Sequence, residues 1–149
     1  TAREYDIKDQ IARHAHNVGD AYLWMGDYRK AFVYLRMSLE VSEAIGYDIA
    51  TNVNKIFLAF IDALKFGSNE GLAQLEKALE IANERNSVWE QIQVNYFLGR
   101  IHFERKEMEI AKTHLEQSIR IGRAADNKII EAPSLDLLEQ IEEISGSSK

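Results

Sequence analysis

Cysteine is absent from the 149 residues, and proline appears once, as Pro133. Without cysteine there is no disulfide framework, no thiolate nucleophile and no cysteine-ligated metal. A single proline leaves the backbone free to run through long helices. The apolar–polar alternation of half-buried strands is also missing between the turn signals. No apolar run approaches the roughly 18 residues that a membrane span requires. Cations are the scarcer sign: 18 Lys and Arg against 24 Asp and Glu give a net charge of −6. Such a surface lacks the clustered cations that hold phosphates, which argues against nucleic acid as a partner. The start, TAREYDIKDQ, has neither an initiator Met nor a signal-peptide pattern. A cytoplasmic piece of a longer protein is the expectation.

What remains is apolar residues at helical spacing. A hydrophobic content of 46% separates the chain from disordered ones, and its length suits one domain over 1–149 with a sizeable core. A first helix is expected from an N-cap at Asp6 to Met25, with Ile7, Ile11, Ala15, Val18, Tyr22 and Met25 on one stripe. Gly26-Asp27 breaks it. A second runs from Tyr28 to Ile45, with Ala31, Leu35, Ser38, Leu39 and Ser42 inward and Gly46 as its stop. Ile49 to Lys65 is apolar on several sides, as a helix flanked by neighbours should be, and Gly67-Ser68-Asn69 ends it. A fourth follows from Gly71 to Glu84. Ser87 and Glu90, three apart, have the form of a capping box opening a fifth helix that ends at Glu104. Met108 to Ala125 forms the sixth. A last helix, with Pro133 near its start, reaches Ile144 before a fraying SGSSK tail.

Self-comparison organises these helices. Ala31, Gly71 and Ala111 are forty residues apart, and in that register Leu35, Leu75 and Leu115 align. Ser38, Ala78 and Ser118 do so too, as do Gly19, Ala59 and Gly99 in the preceding helices. Fixed-period similarity marks a repeat architecture. Small residues let the two helices of a pair approach closely while the Leu row fills the groove beside them. One pair cannot bury its apolar face alone, so each rests on the next.

Val18-Gly19, Tyr22, Gly26-Asp27-Tyr28, Ala31, Leu35 and Leu39 resemble the tetratricopeptide repeat signature, and Leu98-Gly99, Ala111 and Leu115 resemble it again. Leu58-Ala59, Gly71, Leu75 and Ala78 do so more loosely. The usual unit is about 34 residues. The longer spacing is similar to the extended repeats of kinesin light chains, Pins/LGN-type scaffolds and bacterial Rap-type and MalT-like regulators. Ala15, Lys55 and Asn95 replace the signature Trp, and the middle turn has lost the Gly-Asp-Tyr form. The resemblance implies an all-α, right-handed solenoid of three hairpins, at about 7–46, 47–86 and 87–126, with a capping helix at about 128–144. That last helix has the alternative of opening a fourth repeat, since Leu138 lies forty residues after Leu98.

By the family's pattern the first helix of each pair lines a concave groove. The candidate partner-binding residues are then Arg13, His16, Asn17 and Asp20, followed by Phe57 and Phe60, followed by Gln93, Tyr96, Arg100 and Phe103. The aromatics are either groove anchors or core. The family's carboxylate clamp needs Lys, Asn and Arg, but the corresponding places hold His16, Asp20, Phe57, Gln93 and Phe97. A chaperone-tail receptor is therefore not expected. Arg13 and Arg100 suit an acidic partner side chain.

Chemistry of other kinds finds no support. His14 and His16 point about 200° apart on a helix and cannot share a metal. No HExxH, GxGxxG or P-loop pattern occurs. The expectation is a non-catalytic protein-interaction module without metal or cofactor, whose partner is a protein or peptide rather than nucleic acid or membrane. The alternative is an intramolecular regulatory segment of a larger signalling protein or transcription regulator, and self-association stands as a third use.

Overall fold

The computed structural model describes residues 1–147. Seven helices make up almost all of them: α1 (Ala2–Trp24), α2 (Tyr28–Ala44), α3 (Asp48–Phe66), α4 (Asn69–Arg85), α5 (Val88–Glu104), α6 (Met108–Ala124) and α7 (Glu131–Ser147). The protein is all-α. It divides into two compact units, Thr1–Gly71 and Leu72 onward. In the first, α1 packs on α2 and α2 on α3; in the second, α5 packs on α6 and α6 on α7.

The corners share one design. After α1, the Gly26 N–H donates to the Leu23 carbonyl (3.1 Å) and the Asp27 N–H to the Tyr22 carbonyl (2.9 Å). This is a Schellman pair, and it needs a left-handed residue between the bonds. Gly26 supplies it at φ 82° without steric cost. The same two bonds close the corners at Gly46, Asn86, Lys106 and Asp126, all with positive φ. Left-handed residues thus recur every twenty positions, with a one-residue delay at Gly67. Asp27 then caps α2, its carboxylate accepting from the Lys30 N–H at 3.1 Å.

Small residues set the crossings. A Cβ on Gly19 would lie 2.8 Å from Leu35 Cγ, and one on Gly99 would lie 2.7 Å from two carbons of Leu115. Each hairpin therefore closes until the Leu of its second helix touches the backbone of its first. Leu35 and Leu115 are fully buried, as are Ala31 and Ala111 beside them. Each Leu contributes roughly 1.5–3 kcal/mol by leaving water. The seam is also tied by hydroxyls eighty residues apart: Ser38 donates to the Ala12 carbonyl (2.7 Å) and Ser118 to the Ile92 carbonyl (2.8 Å).

Four expectations need correction. First, α1 begins at Ala2 rather than at an Asp6 cap, because Thr1 and Glu4 form a capping box. Second, of the apolar stripe on α1, only Ala15 is buried. Ile7, Ile11, Val18 and Met25 are exposed, and the buried face carries Asp9, Ala12, Ala15, Gly19 and Leu23. The close crossing with α2 selects small side chains, so the bulky ones lie on the side away from it. Third, Ser87 is the residue preceding α5, yet its side chain makes no cap bond. Its N–H is already engaged with the Ala82 carbonyl in the preceding corner, which removes the donor that Glu90 would have satisfied. Fourth, α7 continues to Ser147, beyond Ile144; the fraying expected of Ser148 and Lys149 lies outside the described residues. Pro133 falls in its first turn, where no intrahelical donor is needed. Glu139 stands exposed on α7 at the register position of Gly19, Ala59 and Gly99. A carboxylate there suits a face turned to water and bars a close crossing.

Candidate partner-binding faces

In the first unit the candidate residues sit on α1 and α3. The Arg13 guanidinium pairs with Asp9 one turn earlier, and Asp9 is the buried member. Asn17 is exposed. His16 is half-buried: its Nδ1 meets Asn54 Oδ1 at 2.9 Å, and its ring stands edge-on to Phe57 with centroids 4.9 Å apart. Asn54 donates to Ser38 Oγ at 2.8 Å. A buried polar chain thus runs from α1 through α3 to α2 and back to the Ala12 carbonyl, satisfying groups that would each cost about 1–3 kcal/mol unpaired.

Asp20 departs from this pattern of satisfaction. One carboxylate oxygen accepts from the Trp24 indole, and the other is enclosed without a hydrogen-bond partner. Burial pushes its carboxyl above the usual range, with the charge of His16 and the Trp24 bond acting the other way. Phe57 and Phe60, expected as groove anchors or core, are core: both are almost wholly buried. On the outward side of α1, an open groove is lined by His14, Asn17, Val18, Ala21, Tyr22 and Met25.

In the second unit every residue of α5 from Ile92 to Gly99 is buried. Gln93 and Tyr96 therefore lie inside, and Gln93 Nε2 has no hydrogen-bond partner. Arg100 and Phe103 remain half-exposed. The candidates accessible to a partner are thus Arg13, Asn17 and, in part, His16 and Asp20 on α1, with Arg100 and Phe103 in part on α5. Among the described residues no cluster of His, Cys, Asp and Glu could hold a metal, and no helix is long and apolar enough to cross a membrane.

Two features escaped the sequence. One is the His16–Asn54–Ser38 chain; its signal was Asn54 itself, an amide on an otherwise apolar helix. The other is a pair of stacked rings at the corners of the α1–α2 and α5–α6 hairpins. Tyr22 and Tyr34 stack with centroids 5.7 Å apart and planes at 17°. His102 and His114, eighty positions on, stack at 5.8 Å and 9°. The eighty-residue register was the signal that could have found both.

Hairpins closed on small residues, cornered by Schellman turns and repeated at forty residues define a helical-repeat protein of the kind that presents side chains to other proteins. Tetratricopeptide repeat family models match residues 11–45 and 92–123, which are the α1–α2 and α5–α6 hairpins. These two hairpins are thus tetratricopeptide repeats. Comparison with curated proteins gives no match. Repeats of this family generally serve as protein-interaction modules and non-catalytic scaffolds.

Proposed function

We propose that the chain is a non-catalytic module that takes a partner's peptide or helix on its first-helix faces, the groove side in the tetratricopeptide resemblance, without metal or cofactor. Asp20 is the observation that carries this reading. Its enclosed oxygen lacks a hydrogen-bond partner, an acceptor that is costly until it is filled, and a side-chain shift on docking opens it to a partner's Lys, Arg or amide N–H. Asn17 and His16 lie one turn before it and orient the incoming chain, and the exposed Arg13 lies about two turns away. The second unit, by itself, offers a charged and an aromatic contact at Arg100 and Phe103. Phe57 and Phe60 in the first unit, and Gln93 and Tyr96 in the second, are buried and hold their own helices in place.

The test begins with peptides selected from a displayed library against the whole protein. Amide exchange with a selected peptide bound is expected to gain protection across residues 13–20. Asp20→Asn combined with Asn17→Ala is expected to weaken the peptide at least tenfold while leaving the thermal melt in place. Peptides that bind this variant as tightly as the parent would overturn the reading.

A further inference from the structure

The ring pairs at the hairpin corners occupy one slot in two copies of the same unit, but only one pair can change charge. The first pair is built of two phenols, which have no basic nitrogen to take up a proton. The imidazole is the side chain that can take up a proton near neutrality, and His102 and His114 are buried and half-buried respectively. Their hydrogen bonds fix where a proton must go. Asn95 donates through its amide nitrogen to the Gln91 carbonyl, so its oxygen faces His114 Nδ1 (2.9 Å) and that nitrogen carries the hydrogen. His102 Nδ1 faces Glu107 Oε1 at 3.2 Å, again as a donor to a carboxylate. Acid therefore adds its protons at the two Nε2 atoms, and two cationic rings would then stand 5.8 Å apart.

We infer that the His102–His114 stack is an acid-operated latch, which holds α5 to α6 at their corner while the rings are neutral and releases that corner when both are protonated. The charged groups around it do not balance the second proton. From the α5–α6 corner, Glu107 offers a counter-charge to His102 alone. On α6, Lys112 and Glu116 face each other at 3.9 Å, and the α7 carboxylate Glu131 is engaged with Arg123. Burial first and the charge of His102 second hold His114 below its ordinary value of 6.5. Its folded value is lowered, so the unfolded or opened form binds the proton more readily. Stability from this site is complete above about 6.5 and is lost as pH falls through the lower folded value. The equivalent corner of the first unit carries Asp20, whose raised carboxyl pKa acts with the opposite sign: protonation relieves its burial, and acid does not open that corner.

The experiment is amide exchange on the whole protein at pH 7.5 and 5.5, corrected for intrinsic rates, together with an NMR titration of the histidine ring signals. Residues around the α5–α6 corner are expected to exchange about tenfold faster at the lower pH. The α1–α2 corner should hold. His102→Tyr with His114→Tyr installs the first unit's pair and is expected to abolish the pH effect. If that variant does not fold, His114→Gln serves instead, because Gln74 occupies the same slot in the middle repeat. Equal protection at both pH values, equal loosening of both corners, or persistence of the effect in the variant would each overturn the latch.

Discussion

The α1–α2 and α5–α6 hairpins are two answers to one set of contacts. Both close a glycine onto a leucine, both tie a serine hydroxyl to a carbonyl of the first helix, and both stack two rings at the corner. They differ in what surrounds the first helix. α1 is bare on one side, with Ile7, Ile11, Val18 and Met25 in water, whereas α5 is enclosed along most of its length. The shared contacts are those that build a hairpin, and they tolerate little change. The differing ones are not needed to close a hairpin and are free to become polar, titratable or partner-facing.

The strongest way to break the comparison is to cut the shared contact in each unit. Leu35→Ala and Leu115→Ala should each cost about 2–5 kcal/mol, since both empty a fully buried site. Trp24 lies in the first unit and Trp89 in the second, so urea unfolding of single-tryptophan variants reads the two losses separately. Markedly unequal costs would mean that the equal register conceals unequal packing.

A smaller and opposite pair of effects comes from Asn54 and Ser134, which stand eighty residues apart. Asn54 bridges His16 and Ser38, while Ser134 is buried with its hydroxyl unsatisfied. Asn54→Ala should cost about 2–3 kcal/mol by stranding two partners, and Ser134→Ala should be neutral or stabilise by up to about 1 kcal/mol. Denaturation midpoints decide it, and a loss on Ser134→Ala would point to an ordered water at that hydroxyl.

The smallest effects lie at the corners. Lys106 holds φ 62° where Gly26 holds 82°, and a side chain in the left-handed region costs about 1 kcal/mol. Lys106→Gly should stabilise by roughly that amount and Gly26→Ala should destabilise by a similar one, both measured as shifts in melting temperature.

Much of this fold was legible because its rules are local. The forty-residue spacing of Ala31, Gly71 and Ala111, the Leu row and the glycine corners are visible in the chain itself, and the helices form where they place them. The facing of α1 was not legible. Large apolar residues at helical spacing ordinarily mark a core stripe, and nothing local shows that a close crossing will prefer Ala12, Ala15 and Gly19. The breaks around Asn86 and Lys106 were legible but their left-handed conformation was not, because it is imposed by the carbonyls of the preceding helix rather than by their own type. The candidate partner residues were legible only as positions. Whether Phe57, Phe60, Gln93 and Tyr96 face water depends on how neighbouring helices pack, which no local pattern shows, and they lie inside.

The corners also bear on how the chain comes into being. Each left-handed residue brings a helix back against its predecessor after about twenty positions, so the principal contacts within each unit join neighbours in the chain. Contact order is accordingly low, the regime in which small helical proteins fold in microseconds to milliseconds. During synthesis, at about 5–20 residues per second, the first hairpin has its whole seam, from Ala12 to Ser42, available within seconds of its first residue. It can close before α5 has been made, and the second unit can then repeat the process on its own contacts.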